Sequence, residues 1–208
     1  NHAELIPWTL ATHALDNPPG ETFAYSNFGY CVLGRVIEKV SGMPYEEFVQ
    51  QHVLAPCGVT GMKIAGNTLA ERAANEVVYV DPKAGAPYGM KVRRMDAHGG
   101  WLATPGDLVK FLTHVDGFTT TPDLLGETTI QKMTTASQAN RSYACGFAVN
   151  ARPNWWHGGS LPGTSALVVR TASGMCWAAL ANARAKGIDA ALDRLTWQIA
   201  RAVPEWQA

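Results

Sequence analysis

The sequence is poor in charge, in cysteine and in long apolar runs. Only 16% of its 208 residues are Asp, Glu, Lys or Arg, and 17 acidic side chains balance 17 basic ones. A chain without net charge lacks the basic face that binding nucleic acid requires, so no nucleic-acid partner is expected. No apolar run approaches the roughly 18 residues of a membrane-crossing helix, so no membrane span is expected either. The four cysteines, at 31, 57, 145 and 176, form no CxxC pair and no zinc spacing. They read as free thiols, with Cys145 and Cys176 both in predicted strands. The histidines at 2, 13, 52, 98, 114 and 157 make no ligand pair on one helical face. There is no HExxH, GxxxxGK[ST] or GxGxxG, and no GxSxG elbow. Metal hydrolysis, phosphate-loop chemistry, dinucleotide binding and the ordinary α/β-hydrolase are thereby set aside. No metal and no cofactor is expected.

What is present suits a folded domain. Apolar residues make up 47% of the chain, and a chain this long buries roughly 70% of its unfolded surface. Residues 1–27 read as loop with a short helical piece, and Asn17-Pro18-Pro19-Gly20 is a turn. Leu33, Val36, Ile37 and Val40 recur at helical spacing and predict a helix over 28–41 with that stripe buried and Arg35, Glu38 and Lys39 opposite. Pro44 opens the next helix. Residues 56–104 are loop-rich. Thr104, Pro105 and Asp107 sign a helix start, with Leu108, Phe111, Leu112 and Val115 facing inward and Gly117 as the stop. A helix over 123–135 has Asp123 as its cap. Strands are predicted at 143–151, 164–171 and 175–182, and a last helix at 187–203 with Ile188, Leu192, Leu195, Ile199 and Val203 buried. Helices first and an antiparallel sheet with a closing helix after them make the fold class α+β. The helical region is 1–140 and the sheet region 141–208, two parts of one domain.

Two clusters carry chemistry. One is Tyr25-Ser26-Asn27, just before the first long helix. Its bland reading is a helix cap, since Ser and Asn both cap well. The other runs from Trp156 through His157-Gly158-Gly159-Ser160 to Pro162-Gly163, between predicted strands. Its bland reading is a glycine turn that happens to hold a histidine.

Order and surroundings favour more. Pro19-Gly20-Glu21-Thr22-Phe23-Ala24-Tyr25-Ser26-Asn27-Phe28-Gly29-Tyr30, then Leu33-Gly34 and Ser41-Gly42, resembles the central motif of the serine β-lactamase and penicillin-binding-protein superfamily. The similarity is greatest to the branch with class C β-lactamases, DD-peptidases, D-aminopeptidases and family VIII esterases. Gly99-Gly100-Trp101-Leu102 with the helix from Thr104 resembles that branch's glycine-rich segment, and His157-Gly158-Gly159 resembles its third motif, a strand. The resemblance implies a β-lactamase/transpeptidase-like fold and a serine hydrolase acting through an acyl-enzyme. It implies catalytic roles for Tyr25, Asn27 and His157, and substrate binding by Gly158, Gly159 and Ser160, with the Ser160 N–H as an oxyanion donor. A phenol such as Tyr25 is a weak base at neutral pH unless a nearby cation stabilises its phenolate.

The family's nucleophile is the serine of Ser-x-x-Lys, upstream of the tyrosine motif. No serine here has a lysine three positions on. Thr60–Lys63 and Thr129–Lys132 have the spacing, but with threonine and after Tyr25. The chain is therefore expected to be the C-terminal part of such an enzyme. Its expected substrate is a small ester, amide or peptide, with esterase or D-amino-acid peptidase preferred to β-lactamase because His157 replaces a lysine. Strand 175–182, from Met175 to Asn182, should be left as an open edge for an N-terminal fragment or a second copy. The alternative is a binding or regulatory module that keeps the pocket without catalysis.

Overall fold

The local signals around Thr104 do what local signals should. In the computed structural model, which describes residues 1–81 and 87–204, the Thr104 side chain accepts from the Asp107 N–H while the Asp107 carboxylate accepts from the Thr104 N–H. Such a reciprocal cap satisfies two of the otherwise orphaned first-turn donors.

In chain order the helices are α1 (His2–Thr12), α2 (Asn27–Ser41), α3 (Tyr45–Val49, continuing into a π-helical turn), α4 (Pro105–Thr113), α5 (Glu127–Thr134) and α6 (Ile188–Ala202). The strands are β1 (Lys63–Ile64), β2 (Trp101–Leu102), β3 (Ala148–Val149), β4 (Trp155–Leu161), β5 (Thr164–Arg170) and β6 (Cys176–Ala181). β1 and β2 pair antiparallel. The other four form an antiparallel sheet in the order β3-β4-β5-β6, so β6 is an edge among the described residues.

The core has two centres, and Phe111 of α4 touches both. One gathers Leu54, Cys57, Val59 and Met62, and the other gathers Leu112, Val115, Val149 and Trp155. The second joins residues from either side of position 140. On β5 burial alternates, with Ser165, Leu167 and Val169 buried, as expected for a strand with period two. α4 packs against β5 and β6, and so does α6. Trp177 of β6 and Trp197 of α6 meet edge to face at 4.8 Å.

The strand that carries the second cluster is held at both ends. Near its start, Arg170 donates through Nε and Nη2 to the Asp116 carbonyl, at 2.9 and 2.5 Å, and through Nη1 to the Pro153 carbonyl at 3.1 Å. Its guanidinium also lies over the rings of Phe118 and Trp155. Past its far end, the Gly163 N–H donates to the buried Asp81 carboxylate at 3.2 Å. Gly163 has φ +76°, and a Cβ there would stand 2.8 Å from the Tyr79 Cβ, so only glycine fits.

Several expectations need correction. The short helical piece expected within 1–27 is the 11-residue helix His2–Thr12, because Asn1 closes a capping box with Glu4 and the helix accommodates Pro7. α5 begins at Glu127 and Gly126 is its cap; Asp123 instead accepts from the Gly117 N–H. The strand expected at 143–151 shrinks to β3 plus a single bridge between Tyr143 and Ala148. Cys145 lies exposed in the intervening turn, and all four thiols are free. The cluster around His157 is strand β4, as the resemblance implies and unlike its bland reading, in register with β5 from Trp155 opposite Arg170 to Leu161 opposite Thr164.

The largest correction concerns which face of α2 is buried. Cys31 and Gly34 are inside, while Leu33, Val36 and Val40 are 52%, 48% and 83% exposed. Polar contacts hold it this way round. Arg35 Nη2 donates to Asp96 at 2.6 Å and to Glu38 at 3.2 Å, and Glu38 accepts the Tyr45 N–H at 3.0 Å. Gly34 admits Ala97 so closely that a Cβ would come within 2.6 Å of the Ala97 Cβ. α6 shows the same departure more mildly: Ala200 is buried, while Leu195 and Ile199 are about half exposed.

Candidate active site

Ser26 caps α2, its hydroxyl accepting the Gly29 N–H at 2.9 Å. That cap fixes the two neighbours in the motif. Tyr25 stands in extended chain just before the helix, 58% exposed, with its ring edge-on to Tyr143 at 6.4 Å. Asn27 is the first helical residue and is exposed. Phe23 also packs on Tyr143, at 5.1 Å. Phe23, Tyr25, Ser26, Tyr30, Leu33 and Tyr143 line an apolar cleft of about 500 Å³.

His157 lies in β4 on the same face as the buried Trp155. Its Nδ1 is 2.6 Å from the Gly146 carbonyl oxygen. A carbonyl only accepts, so Nδ1 carries the hydrogen and Nε2 is the free nitrogen of the neutral ring. Gly146 sits in the turn of 143–148, closed by Ala144 N–H to Phe147 O at 2.8 Å and tied to α5 by Cys145 N–H to Met133 O at 3.0 Å.

The two clusters thus contact one short segment. Tyr25 packs on its start, at Tyr143, and His157 bonds its middle, at Gly146. Tyr30 of α2 closes the gap from the helix side, since a Cβ on Gly146 would lie 3.1 Å from the Tyr30 Oη. Tyr25 and His157 thus share that segment, and Asn27 stays at the exposed start of α2.

Gly158, Gly159 and Ser160 follow His157 and are exposed. β3 pairs only with Trp155 and Trp156, so from His157 onward the outer edge of β4 has no strand partner among the described residues. Neither glycine is demanded by the chain's own packing. A Cβ on Gly158 would meet only the Ala166 carbonyl at 3.7 Å, and one on Gly159 only the Ala166 Cβ at 3.6 Å, which is ordinary contact. Glycine weakens a strand, so two in succession without an internal reason suit a place where another backbone comes close.

Two phenols that line the cleft with Tyr25 are both shifted upward. Burial pushes the Tyr30 phenol up, and Cys145 and Tyr25 push it further. Burial raises Tyr143 as well, reinforced by Tyr30 and Tyr25. All the causes at these two rings act upward. A phenolate here therefore needs a cation brought from elsewhere.

Among the described residues no three His, Cys, Asp or Glu side chains gather as a metal site, and no helix is long and apolar enough to cross a membrane. Trp155 belongs to the core, and His98 is half-buried with its Nδ1 shielded and unpartnered. Sequence reasoning missed Tyr30, Tyr143 and Gly146. An isolated glycine inside a predicted strand signals a bulge or a close approach, and Gly146 is such a glycine.

Comparison with known proteins gives the family and the fold. The profile of the Beta-lactamase family matches residues 4–201. The human mitochondrial serine beta-lactamase-like protein LACTB is 33% identical over 95 residues, covering 45% of this chain and 17% of that protein. Penicillin-binding protein 4* of Bacillus subtilis is 28% identical over 101 residues, covering 48% of this chain and 20% of that protein. Among solved structures, D-amino acid amidase from Ochrobactrum anthropi SV3 superposes with a TM-score of 0.74 at 22% identity, over 97% of this chain and 64% of its own. The penicillin-binding protein from Bacillus halodurans gives 0.73 at 22% identity, over 94% and 62%. The fold is β-lactamase/transpeptidase-like, and the chain spans less than two thirds of the length of each of these proteins.

Proposed function

This chain belongs to the Beta-lactamase family of serine hydrolases, and we propose that it is the C-terminal portion of an enzyme that cleaves an ester or amide through a serine-bound acyl intermediate. The observation that carries the reading is that Tyr25 and His157 both contact the segment 143–148, with His157 opening the unpaired edge of β4.

On this reading the serine comes from polypeptide outside residues 1–208. Its hydroxyl oxygen attacks the substrate carbonyl carbon, and Tyr25 takes the hydroxyl proton and passes it to the leaving alcohol or amine as the ester or amide bond breaks. On the same reading the cation that would make Tyr25 basic also comes from outside, with His157 assisting through Nε2. Asn27 offers its amide to the substrate carbonyl. The substrate backbone lies along Gly158 and Gly159, and the Ser160 N–H stabilises the oxyanion. Water then attacks the acyl-serine ester, the serine recovers its proton and the acid leaves.

Histidine at 157 favours an ester or a D-amino-acid amide or peptide over a β-lactam. The similarity to a D-amino acid amidase, solved with D-phenylalanine, supports that order. The exposed face of α2 and the edge strand β6, with Leu180 36% exposed, are the surfaces on which the rest of the polypeptide would dock.

The test is turnover by the full-length protein of a nitrophenyl ester, a D-Ala-D-Ala peptide and a chromogenic cephalosporin, side by side. Fast cephalosporin hydrolysis alone would reject the substrate order. His157→Ala should lower kcat/KM by about 10²- to 10⁴-fold; a loss below about fivefold would reduce the histidine to a strand residue.

A further inference from the structure

We infer that Gly146 is a positioning residue whose main-chain carbonyl selects the working tautomer of His157, an assignment that rests on the acid–base role proposed for that histidine. The two ring nitrogens of a neutral imidazole are not equivalent, and the hydrogen bond made by one decides what the other can do. Here Nδ1 donates to the Gly146 carbonyl at 2.6 Å. The lone pair is thereby placed on Nε2.

The carbonyl is aimed by an unusual piece of backbone. Gly146 has φ +82°, a region that side-chain-bearing residues rarely adopt. The turn around it is locked by the Ala144–Phe147 and Cys145–Met133 main-chain bonds, and Phe147 packs on Trp155 at 4.7 Å, two residues before His157 on the same strand face. Tyr30 closes the opposite side, with its hydroxyl where it would stand 3.1 Å from a Cβ at position 146. Glycine is thus called for by conformation, and a Cβ would also make the Tyr30 hydroxyl give way by a few tenths of an ångström. A misplacement of about 1 Å in such a support can cost about 100-fold in rate.

The experiment uses full-length protein with ¹⁵N-labelled histidine, at a pH where the His157 ring is neutral, and assigns its resonances by difference from His157→Gln. Nδ1 is expected to be the protonated nitrogen, with a slowly exchanging proton, the reverse of the tautomer that free histidine prefers in water. Gly146→Ala should move the population toward Nε2–H and lower kcat about tenfold, while KM changes less than about twofold. Wild-type protein with its neutral proton on Nε2 overturns the inference, whether or not the alanine variant folds. So does a folded Gly146→Ala enzyme that loses the Nδ1 proton and keeps its kcat. If Nδ1 is protonated as expected but His157→Gln leaves kcat/KM unchanged, the acid–base reading of His157 fails and the tautomer assignment stands.

Discussion

Helices α2 and α4 carry apolar stripes of the same kind, and the fold treats them oppositely. α4 turns Leu112 into the centre of the core, at 1% exposure, and Val115, just past its last turn, follows at 4%. α2 turns Cys31 and Gly34 inward and leaves Leu33, Val36 and Val40 outside. An amphipathic helix gains its stability from burying its stripe. α2 is instead held by contacts of its polar side, Arg35 and Glu38 with Asp96 and the Tyr45 N–H. Periodicity says which residues a helix wants covered; it does not say that the cover lies within residues 1–208.

The first way to break the comparison is at α4. Leu112→Ala should cost about 3–5 kcal/mol, because a fully buried leucine loses its transfer energy and leaves a cavity. Urea denaturation measures it, and a loss under about 1 kcal/mol would mean that α4 is not the centre of the core.

The second sharpens it at α2. Leu33→Ala should cost about 2 kcal/mol in the full-length protein, where the stripe would be covered. In residues 1–208 alone it should change stability by less than about 0.5 kcal/mol, as exposed substitutions do. Equal effects in the two would remove the idea of a covering segment.

Gly34→Ala tests the inner face of the same helix. The new methyl would press on Ala97, so a loss of about 1–2 kcal/mol is expected in both the long and the short protein. A neutral result would show that α2 can step away from the 95–98 turn without cost.

The smallest effect is a pH dependence. Burial lowers the His98 pKa, outweighing the raising effect of Asp96, and His2 lowers it further. A histidine whose folded pKa is depressed contributes stability above its unfolded value, about 6.5, and that contribution is lost as pH falls through the folded pKa. Acidification should therefore loosen the amides of α2, which packs beside His98 through Arg35 and Asp96, before those of α4. Hydrogen exchange corrected for intrinsic rates would show it. Uniform loosening of both helices, or the same profile in His98→Gln, would assign the effect to other groups.

What could be read from the sequence follows the range of the forces involved. α4 was legible to its first residue, because Thr104, Pro105 and Asp107 act within one turn. The extent of α2 was legible for the same reason, with Ser26 before it and Gly42 after it. Its orientation was not, since that depends on Asp96 and Ala97, more than 60 positions away. β4 hid because two consecutive glycines erase the alternation that marks a strand; only the resemblance identified it as one. α1 hid behind Pro7. Of the site, Tyr25, Asn27 and His157 were named from motif order. The joint between Tyr25 and His157, made by Tyr143, Gly146 and Tyr30, rests on one main-chain carbonyl and on ring packing, and no side-chain pattern announces either.

The fastening of β4 at both ends has a consequence for recognition. A ligand that lays its own chain along Gly158 and Gly159 meets a rail already clamped by Arg170 at one end and by the Gly163–Asp81 bond at the other. Ordering a floppy edge on contact would subtract from affinity. Here the loss of freedom falls on the guest, so stiff guests should be favoured over supple ones of equal contact. Loosening either clamp would blunt that discrimination before it touched any group that handles a proton.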